Sequence, residues 1–384
     1  MKKTHISGWG CISAIGSNIQ ESESSFFAPG NLPQEHGLPS SDTFRSRLPE
    51  EGPGLRVGRL LNRAIEEALT SAQLSLDDRK KYKIGVCLGT TSAFSFGNEK
   101  FLSDFFNNQC PDLIEEENFL TKSLAEKIAG KYSFVGPHLT INNACTSGAD
   151  ALGIGKLWLD QGACDIVLAG GVDVIPKHIV EGFDSLQLRS PELARPFDKN
   201  RCGLNLGEGA GILVLENQDI AVARRQEPLG YLLGVGMASD HYHPSSPDPS
   251  GFGLELAIRR CLQSARILPN HVAFLNAHGT ATRTNDLTEA RVFKGMFEKA
   301  QIVSTKGYTG HTLAAAGALE AIFTLMFLRR KLVPATRGFA EADPELGLAP
   351  TQSTTGVESN FAISTSLGFG GSNTALVIEG CDAN

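Results

Sequence analysis

A cysteine, two histidines, a lysine and a glycine-rich turn are the features of this chain that could do chemistry. Cys145 stands in "INNACTSGADALGIGKLWL" (141–159), where an apolar run gives way to an Ala/Gly-rich stretch with a Leu stripe. That change reads as a strand-to-helix join. A thiol at a helix start faces unpaired backbone N–H groups and the positive end of the helix dipole. Both stabilise a thiolate and favour a nucleophile. The small neighbours Ala144, Ser147, Gly148 and Ala149 leave room for a substrate. The competing reading is a buried core cysteine.

His278 lies in "NAHGTAT", directly after an apolar run. A lone loop histidine is more often structural or solvated than functional. "STKGYTGHTLAAAGALEA" adds Lys306 and His311, five residues apart, before a second small-residue helix. "LGFGGSNTALVIEG" (367–380) places a Gly-rich turn between two apolar strands. It misses the dinucleotide pattern GxGxxG, because Asn373 stands where the last glycine belongs, so a hairpin turn is the simpler reading. No GxSxG elbow and no P-loop is present. His241 and His243 form an HxH pair that could suggest a metal, but no further ligand spacing accompanies it.

The elements that must position these residues follow from pattern. Short apolar runs alternate with helical periodicity, which predicts α/β architecture with buried strands. Lys83–Leu88 and Ile166–Ala169 read as strands, and Leu55–Leu69 and Leu254–Leu262 as helices. The halves parallel each other in order. "LTINNACTSGADALGIGKLWL" matches "IVSTKGYTGHTLAAAGALEAIFTLMFL", "DIVLAGGVDVI" matches "FAISTSLGFGGSNTALVIEG", and "YKIGVCLGTTS" matches "VAFLNAHGTAT". We infer an internal duplication, residues 1–220 and 225–384, with Cys145 and His311 at equivalent joins.

Composition bounds the rest. The 384 residues are 41% hydrophobic and 20% charged, enough apolar mass for a large core. The net charge of −7 argues against nucleic acid as the main partner. "MKKTHISGWGCIS" has no apolar signal-peptide core, and the run Ala314–Leu328 contains Glu320 and is too short to span a bilayer. Eight scattered cysteines with no CxxC pair suit reduced thiols in a cytoplasm.

Jointly, Cys145, His278, Lys306, His311 and the Gly-Phe-Gly-Gly turn, each with its flanks, resemble the β-ketoacyl-acyl carrier protein synthases. These are the decarboxylating condensing enzymes of the thiolase superfamily. The resemblance runs from "ISGWGCISAIG" (6–16) to "GFGGSNTALV" (368–377) and takes in "RPFDKNRCGLNLGEGAGILVLE" (195–216) and "SDHYHPSSP" (239–247). It implies a thiolase-like fold with duplicated halves in an α-β-α-β-α sandwich. It implies that Cys145 accepts an acyl group and that the N–H groups of Cys145 and Phe369 form an oxyanion hole. His278 and His311 would donate to the malonyl thioester carbonyl while CO₂ leaves. Lys306 would orient the site, Glu320 would support it, and Thr280 and Thr282 would hold a pantetheine arm. No metal or cofactor is implied, since the substrates ride on the phosphopantetheine of an acyl carrier protein. The partners implied are that carrier protein and a second subunit, as a homodimer or as a heterodimer with a chain-length-factor-like chain.

Two histidines separate the elongating class from thiolases, which use a second cysteine, and from initiating synthases, which carry Asn at one position. The alternatives are a pocket-shaping partner subunit and a thiolase or acyl hydrolase. Leu367, Cys202, Leu204, Asn205 and Asn142-Asn143 depart from the usual family residues. The unusual "EGFDSLQLRSPELARPFD" (181–198) and a chain shorter than typical members, mainly between residues 90 and 140, tilt the reading toward a polyketide or aryl-polyene-type system. Phe101, Phe105 and Phe106 are expected to limit the acyl chain. Arg56, Arg59 and Arg63, spaced three and four apart, are expected to share a helix face and meet the acidic carrier protein, with Arg189 a second candidate.

Overall fold

The computed structural model describes residues 3–27, 43–44, 53–91, 107 and 123–381. Ten strands form one hydrogen-bonded ladder. In chain order they are β1 (Thr4–Ile12), β2 (Ile84–Gly89), β3 (His138–Ile141), β4 (Ile166–Asp173), β5 (Gly209–Asn217), β6 (Gly230–Ser239), β7 (Val272–Asn276), β8 (Gln301–Val303), β9 (Phe361–Gly368) and β10 (Ser372–Gly380). Across the ladder the order is β8-β7-β9-β10-β6-β1-β5-β4-β2-β3.

From the centre outward, β1-β5-β4-β2-β3 and β6-β10-β9-β7-β8 repeat one another. In each run the first two pairings are antiparallel and the last two parallel. Thr4–Ile6 of β1 pair with Gly230–Leu232 of β6 and stitch the two runs together. β2, β3 and β4 hold the same places as β7, β8 and β9, and these carry the sequence segments that parallel each other.

Helices fill the remaining layers. α1 (Pro53–Ser71) packs on β1 and β5. Its Leu60, Leu61, Ala64, Ile65 and Ala68 are fully buried, the apolar stripe of an amphipathic helix. α2 (Ser147–Asp160) and α6 (Ala316–Arg330) lie against each other between the two five-stranded runs. α3 (Lys177–Ser185) is a short surface helix, while α4 (Phe252–Ala265) and α5 (Arg283–Met296) cover the second half. The result is the α-β-α-β-α sandwich. The inner parallel strands β2 and β4 are buried at every residue, as strands covered on both faces must be. α6 is buried all round from Ala316 to Leu328, so a helix with no polar face sits in the central layer. Among the described residues, no helix is long and apolar enough to cross a membrane.

The central layer needs small residues. A Cβ on Gly317 of α6 would lie 2.7 Å from Ala149 Cβ and 2.7 Å from Ser366 Oγ. One on Gly148 of α2 would lie 2.5 Å from the Ala314 carbonyl oxygen. This contact also sets the distance between the nucleophile's helix and the helix following His311. Phe101, Phe105 and Phe106 lie outside the described residues.

Gly317→Val should therefore force α2 and α6 apart and lower stability by about 1–3 kcal/mol, the usual range for overpacking a tight core. Urea unfolding measures it. An unshifted midpoint in the folded variant would show that the two helices do not meet as described.

Candidate active site

Cys145 follows β3 on a turn whose preceding residue, Ala144, has φ +49°. A β-carbon in that region is strained and must be held by its surroundings. Here Asn143 N–H donates to Ser147 Oγ (2.8 Å), Ser147 Oγ donates to the Ala144 carbonyl (2.6 Å), and Thr146 Oγ1 lies 2.9 Å from the Asn143 carbonyl oxygen. The thiol is only 6% exposed. Its Sγ lies 3.1 Å from His311 Nε2. The His311 and His278 rings stand edge to face, centroids 5.1 Å apart.

Beneath them Lys306 is buried and ion-paired with buried Glu320. Lys306 Nζ also lies 3.2 Å from His278 Nδ1. An ammonium only donates, so Nδ1 accepts and the ring proton sits on Nε2. Burial first, and then the Lys306 charge, hold both imidazoles well below the usual histidine pKa. Both are therefore neutral near pH 7. Burial pushes the Glu320 carboxyl up to about 7, while Lys306 pulls it down.

The Gly-rich turn is a β9–β10 hairpin, and it closes on the thiol. A Cβ on Gly368 would lie 3.3 Å from the Cys145 nitrogen, so glycine is what admits the approach. The Phe369 N–H points at Cys145 Sγ. Phe369 stacks on Phe183 of α3, centroids 5.6 Å apart and planes 22° apart. One cleft reaches Cys145, His278, His311 and Phe369, and Thr280, Thr282, Ser245 and Ser246 line it toward solvent. Thr280 and Thr282 share a 2.8 Å hydroxyl contact.

The helix-start position by itself favours a thiolate. Burial instead drives the Cys145 thiol up to about 12, and the nearby Lys306 only partly offsets it. Desolvation outweighs the helix-start effect, so the resting thiol is protonated, with His311 Nε2 3.1 Å from its sulfur.

Several site residues carried no sequence signal that was read. Glu289 of α5 accepts from the N–H groups of His278 (2.8 Å) and Gly279 (2.7 Å) and from Thr365 Oγ1 (3.0 Å), fixing the His278 loop. Asp286, one turn earlier, accepts from Phe197 N–H (2.7 Å). Asp173, at the end of β4, accepts from Ala314 N–H (2.8 Å) and Thr91 Oγ1 (2.6 Å). Acids at 286 and 289 share a helix face with apolar Ala290 and Phe293, which is the signal that could have exposed them. Asn205, a departure from the family pattern, accepts on its carbonyl from His311 N–H (2.7 Å) and ties down Ala194 with its side chain (2.8 Å).

Arg56 does not belong on a docking face. Its guanidinium is 6% exposed and forks onto the buried Glu208 carboxylate (3.0 and 2.9 Å from Nε). The first turn of α1 tucks under Glu208, which helical spacing alone could not show. Arg59 and Arg63 are exposed. Arg189 pairs with Asp184 at 2.8 Å. His243 Nδ1 accepts from Ser245 N–H (3.2 Å), and no group of three or more His, Cys, Asp or Glu gathers around a metal position among the described residues.

Comparison with known proteins identifies the arrangement. Residues 55–221 match the β-ketoacyl synthase N-terminal domain and residues 229–340 the C-terminal domain. The chain belongs to the β-ketoacyl synthase family. It is 32% identical over 343 residues to 3-oxoacyl-[acyl-carrier-protein] synthase 2 of Staphylococcus aureus (strain N315), covering 83% of this chain and 80% of that one. It is 32% identical over 342 residues to the mitochondrial synthase of Arabidopsis thaliana, covering 82% and 72%. Among solved structures, it is similar to the ishigamide ketosynthase/chain length factor (TM-score 0.88, 26% identity, 99% of each chain). It is also similar to a chain of the Xenorhabdus doucetiae complex of ketosynthase ApeO with its chain length factor ApeC (TM-score 0.82, 28% identity, 99% and 98% covered). This β-ketoacyl synthase is an acyltransferase-type condensing enzyme.

Because the resting thiol is protonated, alkylation of Cys145 by iodoacetamide should keep rising from pH 7 to pH 10. Peptide mapping isolates it from exposed Cys202. A plateau below pH 8 would show that the thiolate already predominates at rest.

Proposed function

We propose that this β-ketoacyl synthase elongates an acyl chain held on Cys145 with a malonyl unit from an acyl carrier protein, in fatty acid or polyketide synthesis. The observation that carries the reading is the 3.1 Å contact of Cys145 Sγ with a neutral His311, edge to face with a neutral His278.

In the first half-reaction Sγ attacks the acyl thioester carbonyl. His311 Nε2 relays the thiol proton to the departing carrier sulfur. The N–H groups of Cys145 and Phe369 face the carbonyl oxygen, where negative charge develops. In the second, the malonyl C–CO₂ bond breaks and CO₂ leaves with no electron pair. That pair becomes an enolate, whose oxygen takes hydrogen bonds from His278 and from His311, the latter in its Nε2–H tautomer once the thiol proton has passed to the carrier sulfur. The enolate carbon attacks the acyl carbonyl, the C–S bond breaks, and the Cys145 thiolate recovers a proton from solvent water. Lys306 holds the His278 tautomer, and Thr280 and Thr282 hydrogen-bond the pantetheine arm. No free cofactor is needed, since the carrier's phosphopantetheine presents both substrates.

A partner-shaping subunit without chemistry is disfavoured, because the nucleophile and both histidines meet in one cleft. A second subunit, identical or chain-length-factor-like, is supported by β3. That strand is an edge of the ladder, with Leu139 41% exposed and Val135 beside it 74% exposed. We assign the enzyme to the cytoplasm, whose reducing conditions suit scattered cysteines with no CxxC pair. Leu204 and Leu367, two departures from the usual family residues, both line the cleft.

Cys145→Ala should lose acyl transfer, read by intact mass after incubation with acyl-carrier proteins, while keeping malonyl decarboxylation. His311→Ala should lose decarboxylation by about 10²–10³-fold, the usual effect of removing one oxyanion donor. Wild-type CO₂ release from His311→Ala would defeat the two-donor enolate model.

Carrier docking is assigned to Arg59 and Arg63. Surface charges of this kind act on encounter. Arg59→Glu with Arg63→Glu should raise KM for carrier-bound substrate and flatten its salt dependence, with a small pantetheine thioester turned over normally. Equal losses on both substrates would remove α1 from the docking face.

A further inference from the structure

Acyl transfer needs the N–H groups of Cys145 and Phe369 on one point, yet they belong to different halves of the molecule. Cys145 sits on the turn before α2, and Phe369 on the β9–β10 hairpin. No covalent link shorter than the intervening chain sets their spacing. The structure shows a side chain that does.

Asp150 lies one turn into α2 and is buried. Its Oδ2 accepts from Asn143 Nδ2 at 2.8 Å and from Thr146 Oγ1 at 2.9 Å, both in the nucleophile turn. Its Oδ1 accepts from Thr374 Oγ1, two residues into β10. Thr146 Oγ1 also meets Ser372 Oγ, the first residue of β10, at 3.2 Å. The carboxylate thus takes two donors from the first half and one from the second. An acceptor held by three donors in fixed directions has little freedom, and a misplacement would leave a buried polar atom unpaired. The three donors bracket both N–H groups: Asn143 and Thr146 flank Cys145, and Thr374 follows Phe369 along the hairpin.

We propose that Asp150 is a positioning residue that clamps the Cys145 turn to the β9–β10 hairpin and so sets the geometry of the acyl oxyanion hole. The proposal rests on the assignment of the Cys145 and Phe369 N–H groups as that hole. The enolate donors His278 and His311 are held by other groups, Glu289, Lys306 and the Asn205 carbonyl. The clamp therefore acts on acyl transfer and spares malonyl decarboxylation, which a general loss of structure would not do.

Asparagine can reproduce the clamp. Its Oδ1 takes Asn143 and Thr146, and its Nδ2 donates to the Thr374 hydroxyl, which also accepts. Alanine cannot.

The test compares wild type, Asp150→Ala, Asp150→Asn and Thr374→Val in two assays: single-turnover acylation of Cys145 by an acyl-carrier thioester, and CO₂ release from malonyl-carrier protein. Asp150→Ala should slow the saturating acylation rate by about 10–100-fold, somewhat less than outright removal of an oxyanion donor. Its half-saturating substrate concentration and its decarboxylation should stay at wild-type values. Asp150→Asn should restore acylation. Thr374→Val, which cuts one arm and keeps the acid, should show the same selective loss in smaller degree, and stands in if Asp150→Ala fails to fold. Parallel loss of both half-reactions in a folded variant, loss of neither, or an Asn variant as slow as Ala would overturn the clamp. Acyl transfer to Cys145→Ala, or a wild type that releases no CO₂ from malonyl-carrier protein, would instead overturn the underlying site assignment.

Discussion

A buried ammonium organises this enzyme. Lys306 is 2% exposed and has Glu320 as its ion-pair partner, itself 3% exposed. A charge taken out of water without a partner is prohibitively costly, so the pair must form if the core is to close. Its formation places α6, which carries Glu320, against the loop that carries Lys306. It leaves one ammonium donor facing His278 Nδ1. From that one contact follow the His278 tautomer and, with burial, the neutrality of both imidazoles. Neutral histidines can donate hydrogen bonds to an enolate, and a neutral His311 can also receive the thiol proton.

The duplicated architecture brings the groups together. Cys145 follows β3, His278 follows β7, Lys306 and His311 follow β8, and Phe369 follows β9. All leave from carboxyl ends of strands, where open α/β sheets gather their sites. The central helices must approach closely for the two halves to share one cleft, and Gly148, Ala149 and Gly317 permit it. The Ala/Gly-rich composition around the nucleophile therefore serves two ends. It opens the space above the thiol, and it lets α2 lie on α6.

Much of the fold was legible because periodicity reports burial. The α1 stripe, the apolar runs of β2 and β4 and the Gly-rich turn before β10 each announce their element through side-chain pattern alone. The reacting residues were legible only as a set, since a lone loop histidine such as His278 carries no mark of function. Hidden were the acids that hold the site. Asp150, Asp173 and Glu289 look like ordinary helix or strand-end carboxylates until their donors arrive from distant parts of the chain. Arg56 failed in the opposite sense. Helical spacing put it beside Arg59 and Arg63, but spacing carries no knowledge of Glu208, 152 residues away.

The sequence by itself determined the residue types that can react, the order of the elements and the doubling of the fold, because these are properties of local pattern and repetition. Only the tertiary structure decided their states. Whether Cys145 rests as thiol or thiolate is a contest between helix-start stabilisation and desolvation, and burial wins it. Whether His278 donates depends on Lys306, 28 residues away. Charge state and hydrogen-bond direction depend on distance and dielectric surroundings, and those exist only once the two halves have closed on each other.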